Sequence, residues 1–287
     1  MKIDAFDKKY KVDAMRQQYG DYPRIQNGSF DSLHELVTYA EKLVAIGDTG
    51  KKQCDNWCRT CTDDAIKLAK DGWPEGARII AAKASQMVNR MVNRTTKGLV
   101  HEIGYDVAGA AYDPGALQSG VPECWGTIVP EISKRAIRII FSADASAGVP
   151  ESVLQNRGIA VASLVWMLNV EGYPVTVDWM EWSTHWFTGE SKVYCRLIDA
   201  NSGSQIDLDR LAFGLGHPAM FRRLGQAIVN GHRGEGMWWG SHQPGRENNH
   251  PDCDLFIGGV HLHDAERWTD GGEAWVLAEF ERQTKEG

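Results

Sequence analysis

Between Arg138 and Leu168 the chain reads RIIFSADASAGVPESVLQNRGIAVASLVWML. The apolar run over residues 136–141 is bounded by Asp-Ala-Ser-Ala-Gly, so it reads as a short buried strand rather than a helix. Pro150, a favoured first-turn residue, then opens a helix that continues to about Val170 and stops before Gly172-Tyr173-Pro174. A buried strand feeding directly into an apolar helix is the repeating unit of a wound α/β sheet.

The chain after this unit continues in the same style. PVTVDWMEW sets Val175, Val177 and Trp179 against Thr176, Asp178 and Met180, the alternation of a strand, and KVYCRLIDA reads as another. Thr188-Gly189-Glu190-Ser191 between them suits an antiparallel hairpin. Helical pieces from Leu208 and Pro218, a strand over DLFIGGV and a closing helix from Glu273 to about Lys285 follow. This order predicts a wound, mostly parallel sheet with helices on both faces, over residues 131–287.

Residues 1–130 read differently. A polar lead-in of some 25 residues, extended or partly helical, precedes an apolar stripe from Leu33 to Val44 with Ser32 as its N-cap. Thr62-Asp63-Asp64 caps a second helix, and Pro74 opens a third. Gly, Pro and Asp then dominate residues 101–127, which predicts a hairpin or irregular β-segment bridging an α-rich N-terminal region to the α/β domain.

Composition removes several functional classes. The 287 residues carry a formal net charge of −7, which disfavours a broad nucleic-acid surface. The first twenty residues show no apolar run after their charges, and the stretch Gly158–Leu168 is too short for a membrane span. The reading is therefore a cytoplasmic protein without a membrane role, whose six cysteines are thiols.

Asp144 and Ser146 carry the clearest chemistry. A carboxylate and a hydroxyl two residues apart at a strand end can hold Mg²⁺ or a similar hard cation; the same pair can instead cap the following helix. Ligands of wound sheets sit outside the carboxyl ends of strands. That rule places Asp144 and Ser146 at a functional rim, and His261, His263 and Asp264 follow the last strand to the same side. Arg157, early on the apolar helix, can snorkel or pair with a rim carboxylate.

The stretch Arg138–Leu168, followed by a strand and its hairpin partner, resembles the von Willebrand factor A-type fold. There the first strand ends in Asp-x-Ser-x-Ser, the core of a metal-ion-dependent adhesion site. Asp144 and Ser146 match its first two members and Gly148 stands in place of the last serine. Four further stretches, AIKLAKDGWPEG, YDVAGAAYDPGALQSGVPECW, NRGIAVASLVWMLNVEGY and LAFGLGHPAMFRRLG, are similar to uncharacterised proteins of tailed phages and bacterial mobile elements.

Other constellations point less far. Cys54, Cys58 and Cys61 have the Cys-x₃-Cys-x₂-Cys spacing of radical S-adenosylmethionine enzymes, and Gly271-Gly272-Glu273 echoes a second element of theirs. The helices around the cysteines and the distance to Gly271 contradict that fold. Zn²⁺ is second to Mg²⁺ here, through those cysteines or through His250, Cys253, His261 and His263. His217, ahead of Pro218, reads as a helix cap rather than a base. The Gly-rich loop from Gly231 to Pro251 carries Trp238 and Trp239, a pair suited to a partner surface. The expected function is a non-enzymatic binding or assembly protein with a protein partner or self-assembly. The alternative is a metal-dependent hydrolase or nucleic-acid-processing enzyme working at the strand-end rim.

Overall fold

The computed structural model describes residues 13–17, 20–46, 58, 60–92, 103–106, 111–112, 118–119, 125–128, 134–146, 148–185, 189–200, 206–225, 228, 243–244, 252–262 and 265–285. The chain divides into two compact units, one of residues 1–87 and 136–287, the other of residues 88–135.

The larger unit is an α/β structure around one sheet. Its strands are β1 (Asp13–Gln17), β2 (Gly20–Phe30), β6 (Ile137–Ser142), β7 (Val175–His185), β8 (Gly189–Ile198), β9 (Gln243–Pro244) and β10 (Leu255–Ile257). Their order is β1-β2-β8-β7-β6-β10, with β9 paired to β7 beside that path. Across the five strands from β2 to β10 in that order, β2–β8, β7–β6 and β6–β10 pair parallel and only β8–β7 is antiparallel. The predicted hairpin is that antiparallel pair, in register from Asp178 opposite Arg196 to His185 opposite Gly189, with a shift between Asp178 and Val177.

β6 lies between β7 and β10, and Ile137, Ile139, Ile140 and Phe141 are all buried. Burial on both faces is why Ile139, Ile140 and Phe141 run on without alternation, Arg138 being the half-exposed exception. The helix that follows, Glu151–Val170, buries residues nearly all round, from Val153 to Leu168.

The helices are α1 (Leu33–Ile46), α2 (Thr62–Asp71), α3 (Pro74–Val92), α4 (Glu151–Val170), α5 (Leu208–Gly216), α6 (Glu266–Thr269) and α7 (Glu273–Lys285). A π-helical turn, Met220–Gly225, follows α5. One sheet face presents Ile139, Phe141, Val177, Trp179 and Cys195 side by side. α4 reaches it through Arg157, whose guanidinium sits 4.3 Å from the Phe141 ring centre, and α5 through Gly214, packed on Leu197. α1 reaches it through Tyr39, whose ring lies tilted with its centre 5.4 Å from that of Phe30, which pairs with Cys195. α4 and α5 approach so closely at Gly158 that a Cβ there would run into the Leu215 carbonyl.

The opposite face buries Ile140, Met180 and Trp182, with Tyr194, Cys253 and Phe256 packed against them. The helix layer expected over that face is not among the described residues. Asp178 lies on it, buried, and joins three strands by accepting from Arg138 on β6 and Arg196 on β8 at 2.8 and 3.0 Å.

Helix ends follow the sequence closely, with one correction. Ser32 caps α1 by accepting from the Glu35 amide, and Glu35 returns a bond to the Asp31 amide. α2, however, is capped by Cys61 and not by the threonine and aspartates after it: the Cys61 sulfur accepts from the Asp64 amide. His217 accepts from the Ala219 amide at 3.1 Å, as a cap does. Its desolvated ring is pushed down to about 4, so it remains a neutral acceptor.

The smaller unit contains an antiparallel sheet of β3 (Ile103–Asp106), β4 (Ala111–Tyr112) and β5 (Trp125–Ile128), in the order β3-β5-β4. The Gly- and Pro-rich texture of residues 101–127 therefore does encode short strands.

Candidate functional site at the strand-end rim

From β6 the chain passes through α4 to β7 on one side, and β10 later pairs on the other side of β6. Strand order thus reverses at the β6–β10 boundary, and the crevice outside such a reversal is where open α/β sheets bind ligands. The segments leaving the two strands stay together past their ends. Ala145 bridges to Val260, the Ser146 amide donates to the Val260 carbonyl at 2.9 Å, and the Val260 amide donates to the Asp144 carbonyl at 2.9 Å.

This pairing brings two separately expected residues into contact. Ser146 Oγ and His261 Nδ1 lie 3.0 Å apart in a hydrogen bond, and both side chains are half-buried. A hydroxyl and an imidazole therefore stand together at the rim. His263, Trp238 and Trp239 lie outside the described residues.

Asp144 faces another way. Its side chain is 4% exposed, and the carboxylate is occupied by the protein itself. The Ser142 hydroxyl donates to Oδ2 at 2.7 Å, and the Trp182 amide donates to Oδ1 and Oδ2 at 3.0 and 3.1 Å. Burial pushes the Asp144 carboxyl up to about 7, against the lowering effects of those hydrogen bonds and of the Arg157 charge. The helix-cap alternative does not describe it either. α4 starts behind Pro150 with no side-chain cap bond, and Asp144 serves the backbone of β7 instead.

Arg157 is buried beneath the same rim, 1% exposed. Its Nη2 donates to the Ser142 carbonyl at 2.6 Å, to the Ile257 carbonyl at 3.2 Å and, more closely still, to the Gly258 carbonyl. The guanidinium thus ties α4 to the carboxyl ends of β6 and β10. Desolvation lowers its pKa to about 9, and the neighbouring Asp144 opposes that shift.

Glu181, 2% exposed, completes the cluster. Its Oε2 has no hydrogen-bond partner and presses toward Gly225, where a Cβ would meet it. Desolvation, reinforced by Asp144, holds this carboxyl well above its ordinary range.

Residues 12–283 match the family described as a domain of unknown function, DUF7192. The chain belongs to the DUF7192 family. No curated protein matches it, and no solved structure does.

The metal expected at Asp144 and Ser146 does not fit the donors of this DUF7192 chain. Hard cations need several oxygens converging on one point. Here the Asp144 carboxylate is turned to Trp182 and Ser142, and the Ser146 hydroxyl to His261. Among the described residues, no group of three or more His, Cys, Asp or Glu side chains is placed to hold a metal ion. Cys54, His250 and His263 of the zinc expectation lie outside the described residues. The Cys58 sulfur donates to the Thr60 carbonyl and the Cys61 sulfur to the Asp64 carboxylate.

Sequence reasoning passed over Glu181 and Ser142. Glu181 was detectable: Val175, Val177 and Trp179 establish the inward parity of β7, and the next inward position is 181. An acid in that register is a buried acid. Ser142 gave no such signal, because its role depends on where Asp144 turns.

Proposed function

We propose that this DUF7192 chain is a non-enzymatic binding or assembly protein, encoded by a phage or other mobile element, with a von Willebrand A-like domain. It engages its partner at the rim where β6 and β10 end. The observation that carries this reading is the Ser146–His261 pair, half-buried and joined at 3.0 Å outside the strand-order reversal. Two polar groups held in fixed geometry at that crevice are suited to orient a ligand. The succession of β6, α4 and the β7–β8 hairpin is consistent with the A-type resemblance. Trp238 and Trp239 enter through composition alone, as aromatic anchors in a Gly-rich segment. Among the described residues, no helix is long and apolar enough to cross a membrane.

Gel filtration with light scattering, together with affinity capture from the native host, tests the proposal. The expected result is self-assembly or a defined partner. That association should weaken in Trp238→Ala/Trp239→Ala and in Ser146→Ala/His261→Ala while thermal stability changes little. A chain that stays monomeric at all concentrations and captures nothing overturns the reading. So does association that survives both double substitutions.

A further inference from the structure

The carbonyls of Ser142, Ile257 and Gly258 converge under the rim, with the Asp144 carboxylate close enough to interact electrostatically. Carbonyl and carboxylate oxygens gathered from two strand ends are the ligand set a hard cation takes. What fills this oxygen-rich point is the Arg157 guanidinium, brought in from α4 and stacked on Phe141 at 4.3 Å. We propose that Arg157 is the resident cation of the rim. Its guanidinium supplies at the ends of β6 and β10 the positive charge that a divalent metal would otherwise bring, and the rim works without a metal ion.

The choice of arginine has a physical basis. Guanidinium is planar, more weakly hydrated than ammonium and hard to deprotonate, so it can be buried among neutral carbonyls where lysine would shed its proton. Because the charge is covalently held, the crevice geometry is set during folding and does not wait for an ion. The proposal holds whether or not the rim binds a partner.

Thermal unfolding of the full chain tests it, after EDTA and then with excess Mg²⁺, Mn²⁺ or Zn²⁺. The melting temperature of the unsubstituted protein should be the same in every condition. Arg157→Ala should melt far lower, and methylguanidinium should restore part of the loss saturably. Arg157→Met, which fills the space with apolar atoms, should show no such rescue. If Arg157→Ala does not fold, Arg157→Lys takes its place: it should be destabilised, and wild-type stability in that variant overturns the proposal. A saturable rise in wild-type melting temperature with Mg²⁺ that Asp144→Ala abolishes also overturns it, as does failure of methylguanidinium to act on a folded Arg157→Ala.

Discussion

Ser146 and His261 stand 115 positions apart in the chain and share a 3.0 Å hydrogen bond. The backbone bridge between Ala145 and Val260 holds them there. A side-chain hydrogen bond of this kind contributes about 0.5–1.5 kcal/mol net. A double-mutant cycle on Ser146→Ala and His261→Ala, read by urea unfolding, should return a coupling energy in that range. Coupling near zero would mean that the two side chains are independent surface groups.

Asp144 should give stability a pH dependence of unusual sign. A carboxyl whose pKa is raised in the folded state holds its proton more tightly folded than unfolded. Its stabilisation is complete below the unfolded value of about 3.9 and is lost as pH rises toward about 7. Glu181, also raised, acts in the same direction, while the Arg157 charge opposes the shift of Asp144. Asp144→Asn keeps an acceptor for Trp182 without the titration. The stability of wild type relative to this variant should therefore fall between pH 4 and 7, by on the order of a few kcal/mol. Parallel pH profiles would instead show Asp144 to be an ionised, well-compensated carboxylate.

Gly158 should tolerate no side chain. A Cβ at this position would collide with the Leu215 carbonyl, so Gly158→Ala must push α5 away from α4. Overpacking of this kind costs roughly 1–3 kcal/mol. The loss should exceed anything the higher helix propensity of alanine returns, about 1 kcal/mol. Chemical denaturation measures it, and a stabilised variant would show that the two helices do not meet here.

Asp178→Ala removes the carboxylate shared by Arg138 and Arg196. The aspartate is buried, but the two arginines are 41% and 34% exposed and can recover water. The expected loss is therefore about 1–3 kcal/mol, less than for a fully buried pair. Arg138→Met/Arg196→Met with Asp178→Asn, which leaves no orphaned charge, should recover part of the difference in the same unfolding assay.

Much of the larger unit was legible in advance. The apolar run of β6, the length of α4 and the alternation of β7 are all local signals, written in spacing that the backbone imposes, whereas Gly189, Glu190 and Ser191 of the expected turn belong to β8. The N-terminal strands were harder. β2 joins the main sheet beside β8 through the parallel pairs Asn27–Lys192 to Phe30–Cys195, and no local pattern announces a partner so distant in the chain. Cys61 displaced the expected cap residues because capping depends on where the first helical turn begins, and a thiol can accept that amide as well.

The candidate site divides along the same line. Sequence alone determined that Asp144, Ser146 and His261 would follow strand ends, because strand periodicity fixes where strands stop. Only the tertiary structure decided that Ser146 would meet His261, that Asp144 would turn to the Trp182 amide, and that Arg157 would gather carbonyls from two strands. Those partners are largely backbone groups, which every residue carries, so their positions follow from the pairing of β10 with β6 and leave no mark on residue type.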